Sequence, residues 1–407
     1  MDRDETLGTR HSIRLHAFMI SRFFFSLPSS SRATQLGATL FLEAWVFLRV
    51  SALLSSADSL ETSRLWLPLV TFSENYEVLQ AYGKTMSEFV GMKEYLSYVT
   101  VQDPAIATPQ GYNEKSYVSI WGRSGRKQVD AGTFIEMMEA QKPDVIQILA
   151  DGDTDLNSSK KRLTKAVDRT LSFAETCWAL KEKSEVLKNT PVIASVEGGY
   201  SARERLRCIK SLKSYNFSAY VLDGFHTGGN AAETLSTEQT VLVLEEILPE
   251  LPEASPRVFP GAVSPATVLE LVSLGIDVFD TSFPFLVTER GGALIFPNSL
   301  EAKSSSSQLV ETLPDNEETF CSNFLYFDDL RPLLEHCSCY ACRKFSRSYI
   351  HHLLVTGELL GPILLQMHNL HHYLDFFRNI RKALKEDQLT TLKDILKNFL
   401  NERLKSV

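Results

Sequence analysis

The sequence predicts an α/β protein made of successive βα units, on three observations. Short apolar runs alternate with amphipathic stretches from about residue 95 to 283, the runs recur at intervals of roughly 25 to 45 residues, and their ends carry glycine and acidic residues. Apolar runs of four to seven residues suit strands buried on both faces of a parallel sheet. The spacing is that of a strand followed by a crossover helix. Two arrangements satisfy the pattern. In a βα barrel the strand ends form a functional rim; in a doubly wound open sheet they line a crevice. No GxGxxG follows a strand, which argues against a Rossmann dinucleotide site.

Residues 1–60 form an atypical N-terminal segment. Within it, residues 14–57 hold the apolar runs LHAFMISRFFFSL and LGATLFLEAWVFLRVSALL. The second approaches the length of a membrane span, but Glu43 and Arg49 interrupt it, and a buried helix is an equal reading. Asp2, Asp4 and Glu5 oppose the basic start of a signal peptide and weaken a mitochondrial presequence.

The βα series occupies residues 61–300. YLSYVTV and YVSIWGR read as strands from their β-branched and aromatic content. DVIQILA precedes a long helical stretch, 157–184; PVIASV precedes SARERLRCIKSLKS; SAYVLDG precedes TEQTVLVLEEIL; PRVFPGAV precedes PATVLELVSLG; IDVFDTS closes the series. The strand ends place Asp151-Gly152-Asp153, Glu197-Gly198-Gly199, Asp223-Gly224-Phe225, Gly261 and Asp280 together on a rim. Residues 301–320 are an acidic, Ser-rich loop. Residues 321–407 hold a cysteine cluster, then apolar residues at helical spacing from 347 to 404, with Pro362 suited to a helix start.

The chain has 407 residues and a net charge of −8. That balance excludes a broadly basic nucleic-acid surface, so any such contact is a local patch or belongs to a partner. Arg378, Arg381, Lys382 and Lys385 make one candidate patch, though such a run reads first as a solvated helix face. Of the six cysteines, Cys177, Cys208 and Cys321 are scattered. The other three, Cys337, Cys339 and Cys342, fall within six residues, ahead of a stretch carrying His351, His352, His368, His371 and His372. Soft thiolates with one imidazole are the donor set of a tetrahedral structural zinc. Four protein ligands leave no open position, so such a site is structural. Spacing alone allows His351, His352 or His368 as the fourth ligand.

CSCYACRKFSRSYIHHLLVTGELLGPILLQMHN resembles the zinc-binding C-terminal region of the tRNA-guanine transglycosylase family: Cys-x-Cys-x-x-Cys, an RxYIHHL block and a distant His-Asn. PDVIQILADGD, VEGGY, YVLDGF and GIDVFDTSFPFLVTERGGAL agree, and the resemblance covers roughly residues 66–404. It implies a TIM (β/α)8 barrel with an inserted zinc-binding subdomain and C-terminal helices. It implies Cys337, Cys339, Cys342 and His368 as ligands of one zinc per subunit, with His371 and His372 on the helix surface or behind the ligands. The family's activity is base exchange, in which a deazaguanine, queuine in eukaryotes, replaces guanine at the wobble position of tRNAs with GUN anticodons.

Base exchange needs an aspartate nucleophile and a second carboxylate for protons. The nucleophile position carries Asp280, in VFDTSFPF. The family's DSGGFQ block is replaced by VTVQDPAIATPQGYN, which keeps Asp103 without the glycines that let backbone approach a flat base. The QGG block reads Glu197-Gly198-Gly199, so a carboxylate replaces an amide and loses its donors. GGLAVGE becomes DGFHTGGN, and LPTRxGR becomes SFPFLVTERGG, with Arg290 at a shifted place. These departures are similar to the non-catalytic accessory paralogue of the eukaryotic enzyme, with Asp280 a vestigial nucleophile bonded to nearby backbone N–H groups. The resemblance then implies a heterodimer with the catalytic subunit of queuine tRNA-ribosyltransferase, tRNA contact through that complex, and a cytoplasmic location with peripheral association at the mitochondrial outer membrane. Two alternatives stand beside it: an active transglycosylase using Asp280, and a zinc-dependent tRNA-binding scaffold unrelated to base exchange. Family members begin with strands that close the barrel. Residues 1–60 do not resemble them, so the first strand is expected to be missing or replaced by LFLEAWVFLRV, with the segment poorly packed.

Overall fold

A computed structural model describes residues 16–17, 19–20, 65–122, 125–300, 318–320 and 326–404. The strands are β1 His16–Ala17, β2 Met19–Ile20, β3 Leu65–Pro68, β4 Ser97–Thr100, β5 Val118–Gly122, β6 Gly125–Val129, β7 Val145–Gln147, β8 Val192–Val196, β9 Ala219–Leu222, β10 Arg257–Phe259, β11 Val278–Phe279, β12 Gly292–Leu294 and β13 Glu318–Phe320. The main sheet is parallel and runs β1-β11-β10-β9-β8-β7-β4-β3-β2.

Its two ends are neighbouring pieces of one segment. β1 pairs with β11, His16 opposite Val278, and β2 pairs with β3, Met19 opposite Leu65. Both edges therefore meet on residues 16–20, and the sheet closes as a βα barrel rather than lying open. The expectation of a missing or replaced first strand is corrected here. Residues 16–17 and 19–20, in the first apolar run, occupy the place between β11 and β3; LFLEAWVFLRV lies outside the described residues, as does most of 1–60. The physical reason is that β3 and β11 would otherwise present unpaired N–H and C=O groups, and two residues on each side suffice to pair them.

Alternation across the barrel wall sorts the strand residues. Trp66, Tyr98, Ile193, Ala219, Val221, Val258 and Val278 pack into one inner cluster, with the Trp66 and Tyr98 rings edge to face at 4.8 Å. Inside, Tyr98 Oη donates to Gln147 Oε1 at 3.1 Å and Gln147 Nε2 to Ser195 Oγ at 2.9 Å, joining three adjacent strands. The intervening residues, among them Val99, Ile146, Ala194, Tyr220 and Phe279, belong to the larger core that includes the helices. Burial on both faces is why β4, β8 and β9 carry no charged residue and show no regular alternation of apolar and polar side chains.

The helices are α1 Tyr76–Tyr82, α2 Met86–Phe89, α3 Ala131–Gln141, α4 Lys160–Lys183, α5 Ala202–Leu212, α6 Thr237–Ile247, α7 Pro265–Ser273, α8 Ser282–Glu289, α9 Tyr340–Lys344, α10 Arg347–Val355, α11 Leu360–Lys385 and α12 Leu389–Leu404. Side chains of Asp130, Ser159, Ser201 and Ser264 cap α3, α4, α5 and α7, each accepting a first-turn N–H. YVSIWGR is a strand but not a barrel strand: β5 pairs antiparallel with β6 in a hairpin. Gln102 Nε2 ties that hairpin to the rim through Ser119 O at 2.8 Å. After β11 the chain leaves the barrel for α8, β12, α9 and α10. It returns with α11, which packs on α8 and β1, and α12, which packs on α7. β12 pairs antiparallel with β13, so the last residues of the stretch read as a Ser-rich loop are a strand; residues 301–317 of that stretch lie outside the described residues.

If residues 16–20 close the sheet, removing residues 1–12 leaves thermal stability within about a degree, whereas removing residues 1–20 lowers the melting temperature by several degrees or abolishes soluble expression. Equal melting temperatures for the two truncations, read by calorimetry, contradict the closure.

Candidate functional site

The cysteine cluster and one histidine of α11 converge. The ligand atoms of Cys337, Cys339, Cys342 and His368 all lie within 4.8 Å of one another, with Cys339 and His368 buried. His368 Nδ1 is 3.7 Å from Cys337 Sγ, 3.6 Å from Cys339 Sγ and 3.3 Å from Cys342 Sγ. Tetrahedral zinc, with bonds near 2.3 Å to sulfur and 2.0 Å to nitrogen, imposes an S···N separation of about 3.6 Å. The four residues therefore fit a four-coordinate ion. His351 is buried elsewhere, against Phe327, and His352 is exposed, so the choice left open by spacing falls on His368.

Local structure aims the sulfurs. Cys339 is the N-cap of α9 and its Sγ accepts the Cys342 N–H at 3.3 Å, which brings the second and third cysteines to one side of a single turn. Hydrogen bonds from Cys337 and Cys342 pull the Cys339 thiol down to about 4, while the neighbouring sulfurs push Cys342 up. Three crowded thiols share their protons unevenly; a divalent cation displaces those protons and resolves the crowding.

The opposite edge of the imidazole is also held. His368 Nε2 lies 2.8 Å from Leu294 O, and a carbonyl only accepts, so Nε2 carries the proton and Nδ1 presents a lone pair to the sulfurs. Asn369 takes the next backbone groups. Its Oδ1 accepts Leu294 N–H at 2.8 Å, and its Nδ2 donates to Gly292 O and Thr288 Oγ1, both at 2.9 Å. One turn on, His372 Nε2 bonds Phe296 O at 3.0 Å. His371, half-buried, contacts Ser338 Oγ at 3.2 Å. Thus α11 grips the backbone of 292–296 with three consecutive fixtures, and the metal set is one end of that grip.

The barrel mouth holds the other candidate residues. Asp280, 1% exposed, accepts the Gly261 N–H on Oδ2 at 2.5 Å and the Ser282 N–H on Oδ1 at 2.7 Å. Burial pushes its carboxyl up to about 6. Asp103 Oδ1 accepts the Ala105 N–H at 2.8 Å, turning the chain into a loop, 103–108, that lies on the loop 226–229. Two backbone bonds join these loops: Gly229 N–H to Pro104 O at 2.9 Å and Thr108 N–H to Thr227 O at 2.7 Å. The approach is close enough to require glycine. A Cβ on Gly228 would collide with Ile106 O, and one on Gly229 would lie 2.8 Å from Ala107 N. Beneath the loops remains a cavity of about 50 Å³, whose lining does not include Asp280.

Glu197 is fully buried, with neither carboxylate oxygen hydrogen-bonded. Burial first, then the adjacent Asp223, push its carboxyl well above the ordinary range. Arg205, also fully buried, donates to Gly199 O at 2.6 Å and to Val196 O and Asp223 O at 2.7 Å, and its guanidinium lies 3.6 Å over the Phe225 ring. It straps the ends of β8 and β9 together. Burial lifts Asp151 but is outweighed by Arg162, which chelates it at 2.6 and 3.0 Å, with Arg169 at 2.9 Å and Asn113 at 2.7 Å. Arg290 forms a two-bond pair with Glu233 at 2.8 and 3.0 Å. In the basic run, Arg378 pairs with Asp375 at 2.8 Å, and Lys382 and Lys385 are exposed. Cys177 and Cys208 are buried thiols pushed up to about 12 by burial, and Cys321 lies outside the described residues.

Arg205 was not singled out by sequence reasoning, Asp153 was placed only on the rim, and Asn369 and His372 were named without the hydrogen bonds they make. The last two carried a usable signal: His368, Asn369 and His372 fall at i, i+1 and i+4, on one side of a helix.

Comparison with known proteins bears on both regions. A family model described as Queuine tRNA-ribosyltransferase matches residues 69–403. Proteins named queuine tRNA-ribosyltransferase accessory subunit 2 are similar over most of their length. The one from Ixodes scapularis is 39% identical over 78% of this chain and 80% of its own. The one from Gallus gallus is 37% identical over 81% of this chain and 82% of its own, and the one from Homo sapiens 38% over 81% and 84%.

Replacing Glu197 with Gln removes a proton-binding penalty that the folded chain carries alone. A raised carboxyl contributes stability that is complete below its unfolded value near 4.5 and is lost as pH rises toward the folded value. Glu197→Gln is therefore expected to be more stable than the wild type at pH 7.5, with the gap closing near pH 4. A variant no more stable at pH 7.5 contradicts the burial argument. Asn369→Ala leaves Leu294 N–H and Gly292 O without this partner and is expected to cost about 2–6 kcal/mol, at about 1–3 per orphaned buried group. Denaturant unfolding measures it; a loss under half a kilocalorie contradicts the assignment.

Proposed function

This chain belongs to the queuine tRNA-ribosyltransferase family, and from that premise we propose that it is the accessory subunit of a heterodimer whose other subunit is catalytic. The complex exchanges guanine for queuine at the wobble position of tRNAs with GUN anticodons, and this chain contributes no catalytic group of its own. The observation that carries the reading is the state of Asp280. Both of its oxygens take backbone N–H donors, and it does not line the remaining cavity. A nucleophile must reach a sugar carbon with a pocket beside it for the leaving base. Here the stretch replacing the glycine-rich block lies across that space, bonded to the loop opposite. The names of the relatives agree with this division of labour.

The metal in this reading is one zinc per chain, held by Cys337, Cys339, Cys342 and His368. When bound it supplies folding energy to the module after β11, and no chemistry in the exchange. That module presents the pairing surface. Residues 327–331 lie along the first turn of α10, where Ser348 bonds Phe327 O and Asp329 O at 2.7 and 2.8 Å. They leave Phe327 62% and Leu330 81% exposed, near Tyr349 and Val355 of α10 at 41% and 65%. Large apolar side chains clustered on a surface mark a protein interface. tRNA is engaged through the assembled complex. We place the chain in the cytoplasm, with peripheral contact at the mitochondrial outer membrane. Among the described residues no helix is long and apolar enough to cross a membrane.

Reconstitution separates this reading from its rivals. The purified chain alone is expected to incorporate no labelled guanine into tRNA, the catalytic subunit with it to incorporate label, and Asp280→Asn in this chain to leave the complex's rate within about twofold. Incorporation by the lone chain that Asp280→Asn abolishes would establish an active enzyme. Cys339→Ser is expected to lose pairing with the catalytic subunit in gel filtration; a wild-type complex peak from that variant removes the metal module from the interface.

A further inference from the structure

A continuous line of contacts runs from the metal module to the loops of the barrel mouth, and the accessory role does not call on it. It starts beside His368. The next residue, Asn369, is fully buried, and its Nδ2 donates to Thr288 Oγ1 at 2.9 Å, in the last turn of α8. Thr288 Oγ1 itself donates to Pro284 O at 2.9 Å, so the hydroxyl is held from both sides. In the first turn of α8, the Phe283 ring lies 6.1 Å from that of Tyr373 on α11. α8 is thus seated on α11 at its start and at its end.

Two residues past Thr288, Arg290 caps α8 and reaches the rim. Its guanidinium makes two bonds to Glu233, at 2.8 and 3.0 Å. The two side chains are 28% and 21% exposed, so water only partly screens them. A planar fork on a carboxylate fixes direction as well as distance. Glu233 ends the short 3₁₀ helix Gly229–Ala232, which belongs to the loop 226–233. That loop is pinned at two points. His226 holds one end to the barrel itself, its Nε2–H donating to Pro260 O at 2.9 Å, just after β10. Glu233 holds the other end to α8, which is no barrel strand and rests on α11. Between the pins lie Thr227 and Gly229, the two residues bonded to the loop 103–108.

We propose that the Arg290–Glu233 pair is a latch through which the metal module keeps the two mouth loops closed on each other. α11 holds α8, α8 holds Arg290, and Arg290 holds the loop 226–233 against the loop 103–108. Loosening α11 by removing the metal therefore loosens the mouth. Coupling over distance needs contiguous contacts that end on an element with two arrangements. That element is the loop pair, whose two crossing bonds, Gly229 N–H to Pro104 O and Thr108 N–H to Thr227 O, form and break together. A chain that never meets a catalytic subunit still carries the latch, so failure of that pairing leaves it standing.

Amide hydrogen exchange on the metal-loaded full-length chain tests it, read at Thr108 and Gly229, the donors of those two bonds. Glu233→Gln is expected to speed exchange at both by at least about tenfold, with the amides of β8 and β9 unchanged. Chelating the metal from the wild type is expected to do the same at these two amides. Chelation of Glu233→Gln should add less than about twofold, because the latch is already open. Ionic strength of about 1 M, where charges are screened within about 3 Å, should speed the same amides in the wild type, a readout that depends on no variant folding. Unchanged exchange at Thr108 and Gly229 in a folded Glu233→Gln, protection there that survives metal removal or high salt, additive effects of variant and chelation, or protection lost equally from β8 and β9 would each overturn the proposal.

Discussion

One imidazole, that of His368, is bound at both edges, and the architecture after the eighth strand position depends on it. Its Nδ1 faces three sulfurs and its Nε2 donates to Leu294 O. Cutting either edge releases the other, because the proton on Nε2 is what leaves Nδ1 free to ligate. The partners of Asn369 and His372 extend the same grip over five residues of backbone. Each of these hydrogen bonds is worth about 1 kcal/mol net, whereas a structural zinc contributes on the order of 10 kcal/mol or more. A bound zinc would therefore dominate, and the hydrogen bonds would transmit its effect. Through α11, which also packs on α8 and β1, the knot of cysteines is tied to the barrel wall and the segment that closes it.

The barrel mouth follows a different logic. Its loops approach so closely that two glycines replace what side chains would otherwise fill, and backbone bonds hold them shut over a small remnant of space. Beneath, the buried Glu197 and Arg205 sit near each other without a direct hydrogen bond between them. Arg205 is satisfied by carbonyl oxygens, while burial without a hydrogen-bond donor favours the uncharged form of Glu197. An amide at position 197 would need no such adjustment, which is why the exchange of Gln for Glu in the family pattern matters physically. The mouth keeps acidic groups, with both oxygens of Asp280 taken by backbone N–H donors.

Much of this was legible in the sequence, for reasons that can be located. The strand series was readable because β4, β8 and β9 are buried on both faces and therefore free of charged residues. The cysteine cluster was readable because soft donors at that spacing have few other uses. The fourth ligand was not decided by spacing, since what selects His368 over His351 is a carbonyl on β12, more than seventy residues upstream. The closing strand escaped notice because each of its two pieces pairs through only two residues, too few to produce a period. Glu197 was visible as a change of residue type. That it lies fully buried, and Asp153 partly unpaired, depends on loops that meet only in the folded chain.

The central claim is that a bound metal holds α11 onto the strand at 292–294, and with it the surface used for pairing. Hydrogen exchange on the full-length chain before and after chelation addresses it most directly. Loss of metal should release protection at Leu294 and across 337–345 by orders of magnitude, while amides of β8 and β9 keep theirs. Protection at Leu294 that survives complete removal of the metal would contradict the account.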